Sequence, residues 1–148
     1  MKIETKTMGI VEIRDTQIIT MPEGFYGFEN FTQFALLDSE QPPFFWMQSM
    51  EDKTLAFIVI DPFLFRPDYE LDIDDNTLSK IEASSPENIL VFALVTIPQD
   101  GSPITANLQG PLVINKQNKK GLQVVVPGEQ WKTKHDIIAE MNVHRKVD

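Results

Sequence analysis

Ile89-Leu90-Val91-Phe92-Ala93-Leu94-Val95-Thr96-Ile97 is built almost wholly from aliphatic, β-branched and aromatic residues, and Pro98 with Gln99-Asp100-Gly101 closes it. Its apolar part is far shorter than the roughly 20 residues of a membrane span. Bulk at Cβ suits a strand. The same signature returns on either side, at Thr16–Thr20, Phe34–Leu37, Phe44–Ser49, Leu55–Ile60, Leu112–Asn115 and Leu122–Val126. Ile3-Glu4-Thr5-Lys6-Thr7 and Ile10-Val11-Glu12-Ile13-Arg14 alternate or nearly alternate, as half-buried strands do. Turn formers punctuate these runs: Met8-Gly9, Pro22-Glu23-Gly24, Pro42-Pro43, Asp61-Pro62, Gly110-Pro111 and Pro127-Gly128. Short strands spaced by about 8–12 residues predict a sandwich or a closed barrel. Closure also removes the exposed edges that such strands would present.

Helical signals are few. Asp74-Asp75-Asn76-Thr77 offers N-caps before Leu78 and Ile81, and Pro86 ends the run. A second, fainter stripe spans Asp136–His144, and residues 141–148 read as a tail after a single domain over residues 1–140. No linker or repeat divides the chain.

Composition removes whole classes of chemistry. With no cysteine, disulfide scaffolds, thiolate nucleophiles and Cys-ligated metals are excluded. The beginning, Met1-Lys2-Ile3-Glu4-Thr5-Lys6, lacks the apolar core of a signal peptide, so a cytoplasmic protein is expected. Residues 1–115 carry 6 Lys and Arg against 18 Asp and Glu, a net of −12, whereas residues 116–148 carry 7 against 4, a net of +3. An acidic body is repelled by phosphate backbones, so direct nucleic-acid binding is not expected, and with no apolar run of membrane-spanning length no membrane is an expected partner. It suits a basic protein, although acidity also simply keeps proteins soluble.

Catalytic motifs are missing. The two histidines, His135 and His144, lack the spacing of a helical zinc pair, and read as surface or partly packed side chains. There is no nucleophile elbow, Walker loop or dinucleotide fingerprint. No metal or cofactor is expected.

Asp68, Glu70, Asp72 and Asp74 occupy every second position, with Tyr69, Leu71 and Ile73 between them. On a strand all four acids share one face. Spaced about 7 Å apart, they sit close to the carboxyl separation of an inverting glycosidase. Four adjacent solvated acids, however, lack the divided pKa values that acid–base work needs. A solvated face and an acidic docking strip both remain open.

Aromatic residues crowd Gly24-Phe25-Tyr26-Gly27-Phe28-Glu29, Phe44-Phe45-Trp46 and Phe63-Leu64-Phe65. Most are needed to fill a core. Consecutive aromatics cannot all point inward on a pleat, and an exposed one is a candidate anchor for a partner. In Ile104–Asn115, the polar Thr105, Asn107 and Asn115 stand among apolar neighbours. They bond to turn backbone or they hold an extended peptide.

In Gly24-Phe25-Tyr26-Gly27-Phe28-Glu29, Pro43-Phe44-Phe45-Trp46-Met47-Gln48-Ser49, Asp61-Pro62, Pro67-Asp68-Tyr69-Glu70 and Thr105-Ala106-Asn107-Leu108-Gln109-Gly110-Pro111, the chain resembles the FliW family of flagellar assembly factors. Matching pieces run in order over roughly residues 8–138. The resemblance implies a mainly all-β fold, a small antiparallel β-barrel with one or two short helices. It also implies a non-catalytic cytoplasmic protein that binds flagellin before export and, when free, binds and antagonises the translational regulator CsrA. A monomer is expected. Partner-binding candidates are Trp46, Gln48, Asp61, Phe63, Asp68, Tyr69, Glu70, Asp72, Thr105, Asn107 and Leu108. The alternative from another class is a small-ligand-binding barrel with a roomy interior.

Overall fold

Runs rich in β-branched and aromatic residues become strands where a neighbouring run can take up their backbone hydrogen bonds. The computed structural model describes residues 1–145. Its main sheet contains β3 (Ile18–Thr20), β4 (Gln33–Asp38), β5 (Phe45–Ser49), β6 (Ala56–Ile60), β7 (Ile89–Thr96), β8 (Thr105–Asn115) and β10 (His135–Asp136), each antiparallel to the next. Strand β9 (Gly121–Gln123) adds to β8. The sheet curls into a nearly closed barrel, and its seam is held by a Thr20 N–H bond to the Lys119 carbonyl (2.9 Å). The expected mainly all-β barrel is what the chain forms.

Period-two patterning sorts the side chains. Met47, Val59, Phe92, Leu112 and Ile114 point inward and meet Ile19, Met21, Phe25 and Phe34 in one core. Phe25 stands edge-on to Phe34 at 4.9 Å between ring centroids. Aromatic bulk therefore fills the interior, which leaves a ligand-binding barrel without the space it needs. Gly24 makes the loop that delivers Phe25 possible. It sits at φ +65°, and a Cβ there would lie 2.6 Å from the Phe28 carbonyl oxygen.

The outside of the barrel is covered in three places. The hairpin of β1 (Lys2–Glu4) and β2 (Ile10–Glu12) forms its own two-stranded sheet. With Ile13 it caps Ala35 and Leu37 of β4. Helix α1 (Asp75–Lys80) is capped by Asp74, whose carboxylate accepts the Thr77 N–H, and it precedes the buried Ile81 beside Ile89, Val113 and Leu122. The third cover is the 60s loop, residues 124–136 and helix α2 (Ile137–Arg145), over Ile60, Ala93, Ala106 and Leu108.

Two expectations need correction. Asp68–Asp74 keeps its alternation, acids outward and Tyr69, Leu71 and Ile73 inward, but it is an extended loop with no strand partner. Strand β8 begins at Thr105 rather than Leu112, because Asn107 stitches an irregularity in it. Its side-chain oxygen accepts the Gln109 and Gly110 N–H groups at 3.0 and 2.8 Å. Register shifts there, between the pairs Phe92↔Leu112 and Leu94↔Asn107. Helix α2 runs to Arg145, and Met141 packs on the core beneath it. Residues 146–148 lie outside the described part.

Candidate functional site

The 60s loop is shaped by what it buries. Asp61 accepts the Phe63 N–H (2.9 Å) and caps a single 3-10 turn, Pro62–Leu64. That turn tips Phe63 and Leu64 into solvent, 43% and 51% exposed, while Phe65 is fully buried. Tyr69 is driven under the loop. Its hydroxyl donates to the Leu108 carbonyl at 2.7 Å, and its ring meets Trp131 edge-on at 4.8 Å. Burial pushes the Tyr69 phenol well above its ordinary range.

Arg66 binds loop and C-terminal helix together. Its Nε and Nη2 donate to the two Asp68 oxygens at 2.8 and 2.7 Å, and its Nη1 donates to Glu140 at 2.6 Å. Its guanidinium lies 4.6 Å from the centre of the Trp131 ring. The hydrogen bonds from Arg66 hold the Asp68 carboxyl down to about 2. Glu140 also contacts His135 Nδ1 at 3.0 Å, while His135 Nε2 accepts the Lys132 N–H at 2.8 Å. His144 Nε2 approaches Asp68 at 3.7 Å.

Only part of the alternating acidic run is therefore available to a partner. Asp68 is neutralised by Arg66, and Asp74 caps α1. Glu70 and Asp72 remain exposed and, among the described residues, without an ion pair. Together with the exposed Phe63 and Leu64 of the same loop, here called the ridge, they supply negative charge and apolar side chains to solvent.

The remaining candidates divide by depth. Tyr69 and Leu108 are buried. Gln48 is also buried, and it locks the N-terminal hairpin to the barrel by accepting the Lys6 N–H at 2.8 Å. Its amide nitrogen donates to the carbonyls of Ser49, Lys53 and Leu55. Thr105 is half-buried and pairs with Thr96 and Asp136 across the sheet. Trp46 and Asn107 line a cleft of about 370 Å³ on the outer face, together with Ile58, Val95, Lys6 and Thr133. Trp46 stands on β5, the neighbour of the strand β6 from which the 60s loop departs, and not on the loop itself.

Sequence reasoning passed over Arg66, Trp131, His135 and Glu140 as a group. Arg66 and Glu140 are 74 positions apart, and nothing local marks them as partners. Buried His135 was expected at the surface or partly packed, and it is held on both ring nitrogens. Among the described residues no group of three or more His, Asp and Glu could hold a metal ion, and no helix is long and apolar enough to cross a membrane.

Known proteins match the chain over most of its length. A family model described as FliW protein matches residues 2–137. Flagellar assembly factor FliW of Treponema denticola is 68% identical over 142 residues, which cover 96% of this chain and 97% of that protein. Its counterpart in Treponema pallidum is 59% identical over 145 residues, covering 98% and 97%. A crystal structure of the flagellar assembly factor FliW superposes with a TM-score of 0.84 at 37% identity, over 93% of this chain and 96% of that one. By sequence over nearly its full length and by shape, the chain belongs to the FliW family.

Proposed function

We propose that the chain is a non-catalytic, cytoplasmic flagellar assembly factor that binds flagellin and, when free, binds and antagonises CsrA, so that flagellin synthesis follows export. Its relatives carry the name of flagellar assembly factor. The observation that supports a protein-docking role is that one loop exposes Phe63 and Leu64 together with the acids Glu70 and Asp72. Aromatic anchors flanked by unpaired carboxylates suit a basic protein surface with apolar pockets.

In this reading the ridge is shared by the two partners, and binding is mutually exclusive. CsrA, as a basic partner, gains from the negative field, and flagellin displaces it when unexported subunits accumulate. The test is charge reversal at Glu70 and Asp72, with CsrA binding measured at two salt concentrations. A loss of about tenfold or more in affinity, with a shallower salt dependence, is expected. Wild-type affinity and slope in that variant would remove the ridge from CsrA docking. Added flagellin should release CsrA from the wild-type chain, and a stable ternary complex would end the exclusive scheme.

A further inference from the structure

Helix α2 and the 60s loop cover the same part of the barrel. Phe65 and Tyr69 of the loop, Trp131 of the segment before α2 and Ile137 of its first turn are buried in one cluster, with Leu71 and Met141 half-buried on it. Loop and helix are also tied by charge. Arg66 Nη1 donates to Glu140 at 2.6 Å, and His144 Nε2 stands 3.7 Å from Asp68. Among the described residues, every ion pair that leaves residues 61–74 ends on α2. The Arg66 and Glu140 side chains are 16% and 22% exposed, so water competes weakly for the bond between them.

The helix has little hold of its own. Its nine residues are fewer than the roughly 12–15 that keep an isolated helix formed in water. Ile137 is the one buried side chain among those described in it, while Ile138 and Val143 are exposed. The strand that leads into it, β10, pairs over two residues. Elements with few buried anchors open first. When α2 opens, Arg66 keeps Asp68, which belongs to its own loop, and loses Glu140, which does not.

We propose that α2 governs docking at the ridge, with Glu140 and Arg66 as positioning residues. Held down, the helix fixes the loop and presents Phe63, Leu64, Glu70 and Asp72 in one arrangement. Released, it leaves a loop that must be ordered again on binding, which lowers affinity. This regulation rests on the reading of the ridge as the docking surface.

Loop order is read by backbone nuclear magnetic resonance relaxation, and docking by CsrA binding. Asn142→Pro breaks α2 at an exposed position. Amides of residues 63–72 should have order parameters of about 0.85 in the intact chain and below about 0.6 in Asn142→Pro, while β5, β6 and β7 keep the higher value. Glu140→Gln and Glu140→Ala remove the same charge, but the glutamine oxygen still accepts the Arg66 N–H. Glu140→Gln should bind CsrA within about threefold of the intact chain, and Glu140→Ala about tenfold or more weakly. A loop that stays ordered over a broken α2 overturns the proposal. So does equal, measurable CsrA affinity in the two Glu140 variants, or loss of order across β5, β6 and β7 alike. The order parameters need no partner, so a chain that ignores CsrA fails the ridge reading and not the coupling.

Discussion

The ridge of the 60s loop and the cleft over Trp46 differ in charge and, more instructively, in construction. Ridge residues stand on a loop with no strand partner, whose course is set by a few buried anchors: Phe65, Tyr69 and the Arg66 bonds to Asp68 and Glu140. Cleft residues stand on paired strands, where register alone brings Trp46, Ile58 and Val95 into line. A loop surface can therefore be lost by altering a residue no partner touches. A sheet surface is altered one side chain at a time.

The largest test of this contrast is Tyr69→Ala. Removing the ring from beneath the loop should cost about 4 kcal/mol in a denaturant titration. Tyr69→Phe keeps the ring and loses only the bond to the Leu108 carbonyl, about 1 kcal/mol. The pair also differs in alkali. Because the Tyr69 phenol is raised in the folded state, its contribution is intact below about pH 10 and is lost as pH rises past that value. Tyr69→Phe should lack that loss. An identical alkaline profile for both proteins would separate Tyr69 from the effect.

Arg66→Ala comes next, at about 2 kcal/mol, since Glu140 is left half-buried with His135 as its remaining partner. Hydrogen exchange should rise at both the loop and α2, which are tied through the same guanidinium. A rise at the loop alone would show that the two are independent.

A smaller effect is expected in acid. Asp68 is held at about 2 against an ordinary 3.8, so its contribution is present above about pH 4 and is lost as pH falls through about 2. In Arg66→Ala that slope should flatten. Unchanged acid unfolding would mean that Arg66 does not set the Asp68 titration. Smallest of all, Glu70→Gln should change stability by less than about 0.5 kcal/mol, because the residue is exposed and, among the described residues, unpaired. A larger shift would turn Glu70 from a display residue into an anchor.

The two regions were unequally legible. Alternation in Asp68–Asp74 correctly separated the outward acids from Tyr69, Leu71 and Ile73, yet it suggested a strand that does not exist. Period two describes any extended backbone, paired or not, and only a neighbour can supply the ladder. Asn107 was weighed as a turn binder or a peptide binder, and the bonds to Gln109 and Gly110 put its oxygen in the backbone. Phe63 stood out as one of several aromatics, but its exposure depends on the Asp61-capped turn that turns Phe65 inward instead. Ile58 and Val95 had no distinguishing mark, because their alignment with Trp46 is a property of strand register.

Residue spacing alone determined a β-rich chain with a large aromatic core, the place of helix α1 and an acidic body without catalytic motifs. These follow from local periodicity and composition, which act over a few residues. Tertiary structure alone decided which acids are neutralised, which aromatics face water and where the sheet is left open. Those outcomes rest on contacts between positions as distant as Arg66 and Glu140, and hydrogen bonding and burial at such separations leave no trace in neighbouring sequence.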